Sequence, residues 1–137
     1  MELNKQVLSI EQVQELIELG FDVEKYASMA YFEQSPFIPI KQPKKYELEI
    51  LTDSLIGNRG SLEVIPTLTI GDIIDILPKK IKKDDLTYIF HIEYSHNSIS
   101  IYYDVERGIG TYFFIKTNEL IYGLFETLKW CIKNKHI

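Results

Sequence analysis

Residues 118–134 read NELIYGLFETLKWCIKN, and their apolar side chains recur with the period of an α-helix. At 100° per residue these side chains fall within an arc of about 140°, which is typical of a helix laid on a sheet. The arc is formed by Leu120, Ile121, Leu124, Phe125, Leu128, Cys131 and Ile132. We therefore predict a helix that is capped by Asn118 and buries this arc against a β-sheet.

Trp130 lies on the opposite side of this predicted helix from the arc, and Gly123 shares that side. A tryptophan beside a glycine notch, with Tyr122 next to it in sequence, is a candidate contact for a protein partner or a second copy, because tryptophan often anchors interfaces. The alternative is cover from within the chain by a proline-rich segment, residues 35–45, whose apolar side chains are Phe37, Ile38 and Ile40. Both interpretations place apolar mass over this side of the helix.

The clearest β-strand pattern lies at residues 86–94 and 98–105, where apolar and polar side chains alternate. A tight turn at His96 and Asn97, with a positive φ at Asn97, would pair apolar residues with apolar residues: Tyr94 with Ile99, Ile92 with Ile101, and Phe90 with Tyr103. A further strand follows at 111–116. The fold class expected from these elements is α+β: an antiparallel sheet of four to six strands with about three helices, the C-terminal one packed on the sheet.

The remaining elements come from local signals. Capping boxes at Ser9–Gln12 and Thr69–Asp72 predict helices at 10–19, closed by Gly20, and from residue 70 to Pro78. A short strand is predicted at 29–33, and residues 46–51 and 61–65 are predicted to pair as a hairpin.

The composition favours one globular domain, residues 1–137, since 45% of the residues are hydrophobic and 12% are aromatic. Cys131 is the single cysteine, which excludes an intramolecular disulfide and a cysteine-based zinc site. Residues 1–12 are too charged for a signal peptide, and no apolar run approaches the roughly 18 residues of a membrane span. We therefore expect a cytoplasmic protein without a membrane partner.

The net charge of −5 makes nucleic acid an unfavourable partner for the chain as a whole. Two local features could still bind it. Gly57, Asn58, Arg59 and Gly60 resemble the glycine loop with which K-homology domains clamp a nucleic-acid backbone, although a wide hairpin loop explains the same residues. The basic run Lys79, Lys80, Lys82 and Lys83 has an ordinary explanation as solvated lysines at a helix end.

Candidate catalytic groups are few. His91 and Glu93 would project from one face of a strand, with His96 at the turn, but this is the polar face and no third metal ligand is fixed nearby. The chain contains no Ser-His-Asp order, no P-loop and no zinc-protease motif. We therefore predict no enzymatic activity, no cofactor and no metal.

Three stretches, KQVLSIEQVQELIELGF with the AYF that follows, TIGDIIDILP, and NELIYGLFETLKWCIKN, resemble a group of small uncharacterised proteins encoded by gut bacteria and their phages or mobile elements, a family of unknown function. The resemblance covers about half of the chain and none of residues 34–66. It implies an α+β fold and a mobile-element setting, and it carries over no catalytic residue. The function expected is that of a non-enzymatic binding or accessory protein; the alternative is a nucleic-acid-associated module using the Gly57–Gly60 loop and the Lys79–Lys83 cluster.

Overall fold

The computed structural model describes residues 5–34, 43–52 and 62–137. The fold is α+β, and within these residues it contains four helices and seven strands. The contacts gather into two compact units, Glu2–Asp72 and Ile73–Ile137. The single-domain interpretation stays a prediction. Residues 35–42 of the proline-rich segment, with Phe37, Ile38 and Ile40, and the Gly57–Gly60 loop lie outside the described residues.

The first unit combines two helices with a three-stranded antiparallel sheet. The helices are α1 (Ile10–Glu18) and α2 (Val23–Tyr26), and the strands are β1 (Met29–Glu33), β2 (Tyr46–Ile50) and β3 (Val64–Thr67). Both helices contact β3. The capping box of α1 is confirmed: Gln12 N donates to Ser9 Oγ at 3.2 Å, and Ser9 N donates to Gln12 Oε1 at 2.9 Å. Gly20 follows the helix with a φ of 86°, as its role in closing the helix requires.

The hairpin predicted for residues 46–51 and 61–65 is wrong, because β1 lies between β2 and β3. Tyr31 of β1 is opposite Leu48 of β2 on one side and Ile65 of β3 on the other. The physical reason is burial: Ala30 and Phe32 of β1 are fully buried, which favours the central position in the sheet for this apolar strand. Nearness in sequence suggested a hairpin, whereas the apolar content of β1 decides the order.

The second capping box, which begins helix α3 (Ile70–Ile76), is also confirmed. Thr69 N donates to Asp72 Oδ2 and Asp72 N donates to Thr69 Oγ1, both at 3.0 Å. Asp72 also accepts from the backbone N–H and the hydroxyl of Ser28, at 3.1 Å and 2.7 Å. One carboxylate therefore caps α3 and holds the residue that precedes β1.

The second unit contains a four-stranded antiparallel sheet in the order β4-β5-β6-β7. Its strands are β4 (Lys80–Lys83), β5 (Leu86–Ser95), β6 (Ser98–Val105) and β7 (Thr111–Thr117). The predicted hairpin is confirmed in its register, since the three predicted pairs, Tyr94–Ile99, Ile92–Ile101 and Phe90–Tyr103, all occur.

The prediction that the lysine run forms the end of a helix is wrong, because Lys80–Lys83 form strand β4. Ile81 is 4% exposed and pairs with Tyr88, so it anchors a strand in which the flanking lysines alternate outward. Asp84 and Asp85 connect β4 to β5 with φ values of 52° and 66°, the left-handed pair of a two-residue hairpin turn. Asn97 does not belong to the positive-φ residues, so the expected left-handed turn lies one hairpin earlier.

Helix α4 (Leu120–Lys133) packs on β6 and β7, as predicted. Its N-cap is Glu119 without a side-chain hydrogen bond, so the Asn118 cap is wrong. Gly123 is buried against the sheet: a Cβ there would lie 2.8 Å from both Ile101 Cδ1 and Thr117 Cγ2. The glycine allows the helix to approach the sheet closely. The notch predicted at Gly123 on the outer side of the helix is therefore wrong.

Candidate interaction surface

The four-stranded sheet has two faces that differ in cover. On one face the fully buried Ile101 and Tyr103 lie beneath α4, and Tyr103 Oη is 4.0 Å from Cys131 Sγ. Residues directly opposite each other on neighbouring strands share a face. The strand register therefore identifies the residues whose side chains lie on the other face. We call this second face the open sheet face; its members include Lys80, Lys82, Ile89, His91, Glu93, Ser100, Tyr102, Asp104, Phe114 and Lys116.

Three rings form a row across the open sheet face. His91, Tyr102 and Phe114 are opposite one another on β5, β6 and β7. The His91 and Tyr102 ring centroids are 4.9 Å apart at 16°, and the Tyr102 and Phe114 centroids are 6.1 Å apart at 30°. His91 is exposed, and Phe114 is 56% exposed although it is wholly apolar. This aromatic row is a flat, partly apolar surface that faces outward from the sheet.

Polar groups fix and surround the aromatic row. Tyr102 Oη donates to Glu93 Oε2 at 3.1 Å. Desolvation, followed by this hydrogen bond, raises the pKa of Tyr102 above its ordinary value, so the phenol stays protonated and keeps donating. Lysines lie at both ends of the face, with Lys80 and Lys82 on β4 and Lys116 on β7. The surface therefore has a ring-lined centre and a charged rim, the arrangement typical of protein interfaces.

Trp130 lies within an aromatic cluster of the second unit. Its ring centroid is 4.6 Å from that of Phe113, 4.8 Å from that of Tyr112, 5.2 Å from that of His136 and 5.8 Å from that of Tyr103. Its cover therefore includes residues of β6, β7 and the segment after α4. Burial, followed by the nearby charge of Lys83, lowers the pKa of His136.

One side of Trp130 still reaches a groove along β7, which we call the edge groove. It has a volume of about 280 Å³ and is lined by Phe113, Ile115, Glu126, Trp130 and Lys133, among others. Tyr122, on the outer side of α4, is 45% exposed. The partner contact at Trp130 and Tyr122 stays a prediction, while Gly123 lies on the sheet side of the helix.

Two of the groups considered for catalysis have structural partners, whereas His96 lies in an exposed turn. Glu93 accepts from Tyr102, and His91 stacks on the same ring. Across residues 5–34, 43–52 and 62–137, no group of three or more His, Cys, Asp or Glu side chains could hold a metal ion. Burial raises the pKa of Cys131 to about 11, which keeps this buried thiol protonated near neutral pH.

The four lysines of the run do not lie on one surface. Lys80 and Lys82 belong to the open sheet face, and Lys80 Nζ lies 3.6 Å from Glu106 Oε1. Lys79 and Lys83 are engaged elsewhere: Lys79 Nζ donates to Ile74 O at 2.5 Å, and Lys83 Nζ donates to Tyr112 Oη at 3.1 Å. Gly57, Asn58, Arg59 and Gly60 lie outside the described residues, so the structure does not relate them to these lysines.

The sequence pattern alone does not reveal the aromatic row. His91 and Tyr102 fall in the polar phase of their strands, and the pattern predicts no register between Phe114 and β6. The signal that could have found it is the presence of aromatic residues in the phase otherwise occupied by serine and glutamate.

In the part of the chain that the structure describes, no helix is long and apolar enough to cross a membrane. Comparisons with protein-family models, with curated proteins and with solved structures gave no match.

Proposed function

We propose that this chain is a non-enzymatic binding protein that recognises a protein partner through the open sheet face. The observation that carries the proposal is the aromatic row, in which three rings on adjacent strands face outward. The resemblance to proteins of phages and mobile elements supports an accessory role in such a setting, in the cytoplasm. The aromatic row supplies contact area, and the charged rim supplies orientation.

A protein partner suits this surface better than a small molecule does. Small-molecule sites are usually concave and enclose most of the ligand. The aromatic row instead lies on the outward face of a sheet, where only a partner of matching breadth could cover His91 and Phe114 together. The polar residues beside it support binding without catalysis, since Glu93 already holds the Tyr102 hydroxyl.

The test is affinity capture from the native host with a matched pair of variants. His91→Ser/Tyr102→Ser removes two rings of the row, whereas Tyr94→Ser removes an equally aromatic side chain that is 67% exposed on the other face of the sheet. We expect a specific protein to bind the wild type and the Tyr94 variant, and to bind the row variant about 30-fold more weakly, as loss of a hot spot of about 2 kcal/mol implies.

The circular dichroism spectrum of each variant should match that of the wild type, so that loss of capture reports on the surface and not on unfolding. Equal capture by the row variant and the wild type would reject the open sheet face as the binding site. Loss of capture with Tyr94→Ser alone would point to the opposite face.

A nucleic-acid-associated module is the second candidate, and one observation favours it. Lys80 and Lys82 lie on the same face as the aromatic row, which would allow phosphate contacts beside stacked bases. Glu93, Asp104 and Glu106 oppose it by repelling phosphate. A titration with single- and double-stranded oligonucleotides at two salt concentrations decides: this candidate requires salt-sensitive binding that Lys80→Ala/Lys82→Ala and Arg59→Ala both weaken.

A further inference from the structure

Strand β7 is an edge of the four-stranded sheet, and within the described residues no strand pairs with its outer side. It is seven residues long, and Phe113, Phe114 and Ile115 form its centre. An exposed, apolar edge of this length is a template for pairing with another strand. Its backbone N–H and C=O groups on the outer side can extend the sheet.

We propose that two copies of the chain form a two-fold symmetric dimer by antiparallel pairing of β7 with β7. The sequence Thr111-Tyr112-Phe113-Phe114-Ile115-Lys116-Thr117 is nearly symmetric about Phe114. Centred on that residue, the pairing sets Phe114 opposite Phe114, Phe113 opposite Ile115, and Tyr112 opposite Lys116. Apolar side chains therefore meet at the centre of the interface, and no two lysines of the strands are directly opposite each other.

The placement of α4 fits the same symmetry axis. Gly123 lies against Thr117, and Trp130 lies against Phe113, so the helix runs antiparallel to β7 and its residues nearest to Phe114 are about Thr127 and Leu128. Since α4 contacts both β6 and β7, its axis lies between them. Neighbouring strands are about 4.8 Å apart, which sets the two α4 axes roughly 10 Å apart, the distance at which helices pack.

The charges on α4 are complementary in this arrangement. A two-fold axis perpendicular to the sheet makes the two helices antiparallel. With the centre between Thr127 and Leu128, Glu126 of one copy comes close to Lys129 of the other, and Tyr122 comes close to Lys133. Glu126 and Lys129 form an ion pair of 3.0 Å within one chain, so the dimer would assemble two such pairs into a four-charge cluster of alternating sign.

The dimer would also extend the open sheet face. Residues that are directly opposite across a strand pair share a face, so the two Phe114 rings would lie side by side. The two aromatic rows would then join into one row of six rings. The partner of this contact is thus a second copy, and the enlarged face remains accessible for another ligand.

The mass of the full chain in solution, measured by light scattering over a dilution series, tests the dimer. We expect twice the chain mass of 16.0 kDa at high concentration, falling to one chain mass on dilution. Phe114→Lys should raise the dimer dissociation constant by at least about tenfold, because it sets two like charges opposite each other. Tyr94→Lys, at an exposed position of the same sheet away from β7, should leave the dissociation constant unchanged.

Glu126→Lys tests the helix contact separately from the strand contact. It should weaken the dimer, and more strongly at low than at high salt, because it replaces opposite charges by a cluster of lysines. A mass of one chain at all concentrations up to about 1 mM would overturn the proposal. A dimer that Phe114→Lys leaves equally strong would overturn it as well.

A cysteine cross-link keeps the proposal testable if a charged variant fails to fold. In Phe114→Cys the two introduced thiols lie opposite each other across the axis, within the Cα separation that a disulfide spans. Oxidised glutathione should therefore convert this variant, but not Tyr94→Cys, to a covalent dimer at a concentration where the wild type associates. Equal cross-linking of the two variants, or none in either, would overturn the proposal.

Discussion

The two edges of the four-stranded sheet differ in length and in charge. Strand β4 has four residues, and three of them are lysines; β7 has seven residues and one lysine. Short, lysine-rich edges resist pairing with other chains, whereas long apolar edges favour it. The sheet is therefore protected against pairing at its β4 edge only. The unprotected β7 edge lies beside the helix that carries Trp130.

The support beneath the two edges differs as well. Strand β4 is held through one buried side chain, Ile81, and a two-residue turn. Strand β7 is held through a cluster of rings in which Trp130 touches both Tyr112 and Phe113. Removal of a ring from the cluster beneath β7 should therefore change the free energy of unfolding more than a substitution in the turn after β4.

The largest effect is expected for Trp130→Ala, which removes the ring that supports β7. Loss of these packing contacts should lower the free energy of unfolding by about 2 kcal/mol, measured by urea denaturation, because Trp130 is half-buried and truncation of a fully buried aromatic side chain typically costs about 3–5 kcal/mol. Tyr122→Ala, at an exposed position of the same helix, is the matched control and should cost about 0.5 kcal/mol or less. Equal effects of the two substitutions would mean that Trp130 does not hold β7 in place.

A smaller and opposite effect is expected in the turn before β5. Asp84 and Asp85 both have positive φ, which asparagine and glycine adopt more readily. Asp84→Asn/Asp85→Gly should therefore raise the free energy of unfolding by about 0.5–1 kcal/mol in the same urea experiment, without changing the mass of the chain in solution.

The next turn along the chain supplies the control for this change. Asn97 does not have a positive φ, so His96→Asn/Asn97→Gly should produce no comparable gain. A gain of similar size at both turns would show that backbone handedness is not its cause.

The smallest effect is expected from His136, which touches Tyr112 and Trp130 on the β7 side. Burial lowers its pKa in the folded state, so the unfolded state binds the proton more tightly. Stability should therefore fall as the pH drops through the ordinary histidine range near 6.5, and recover as the pH rises above it. His136→Gln should flatten this part of the dependence of the unfolding free energy on pH.

His96→Gln is the matched substitution for this experiment, because His96 lies in an exposed turn. It should keep the dependence seen in the wild type. If both variants keep this pH dependence, His136 is not the group that binds the proton on unfolding in this pH range.

Local patterns in the sequence determined a large part of the fold. The capping boxes at Ser9 and Thr69 and the α4 helix depend on residues three or four positions apart. The β5–β6 hairpin depends on the alternation of apolar side chains around a two-residue turn, and its register was predicted pair by pair. In each case the interacting residues are close in sequence, so the sequence alone contains the whole interaction.

Contacts between distant residues decided the rest. The order β2-β1-β3 depends on the burial of Ala30 and Phe32 in β1, and β4 forms because Ile81 fits against Tyr88 although lysines surround it. The helical projection places Gly123 outside the arc of large apolar side chains and so predicts it on the outer side. In the structure its lack of a side chain lets α4 approach Ile101 closely. The aromatic row likewise exists only because the β5–β6–β7 register sets three separated residues opposite one another. Sequence periodicity assigns a residue to a face of its own element, whereas the tertiary structure decides what, if anything, covers that face.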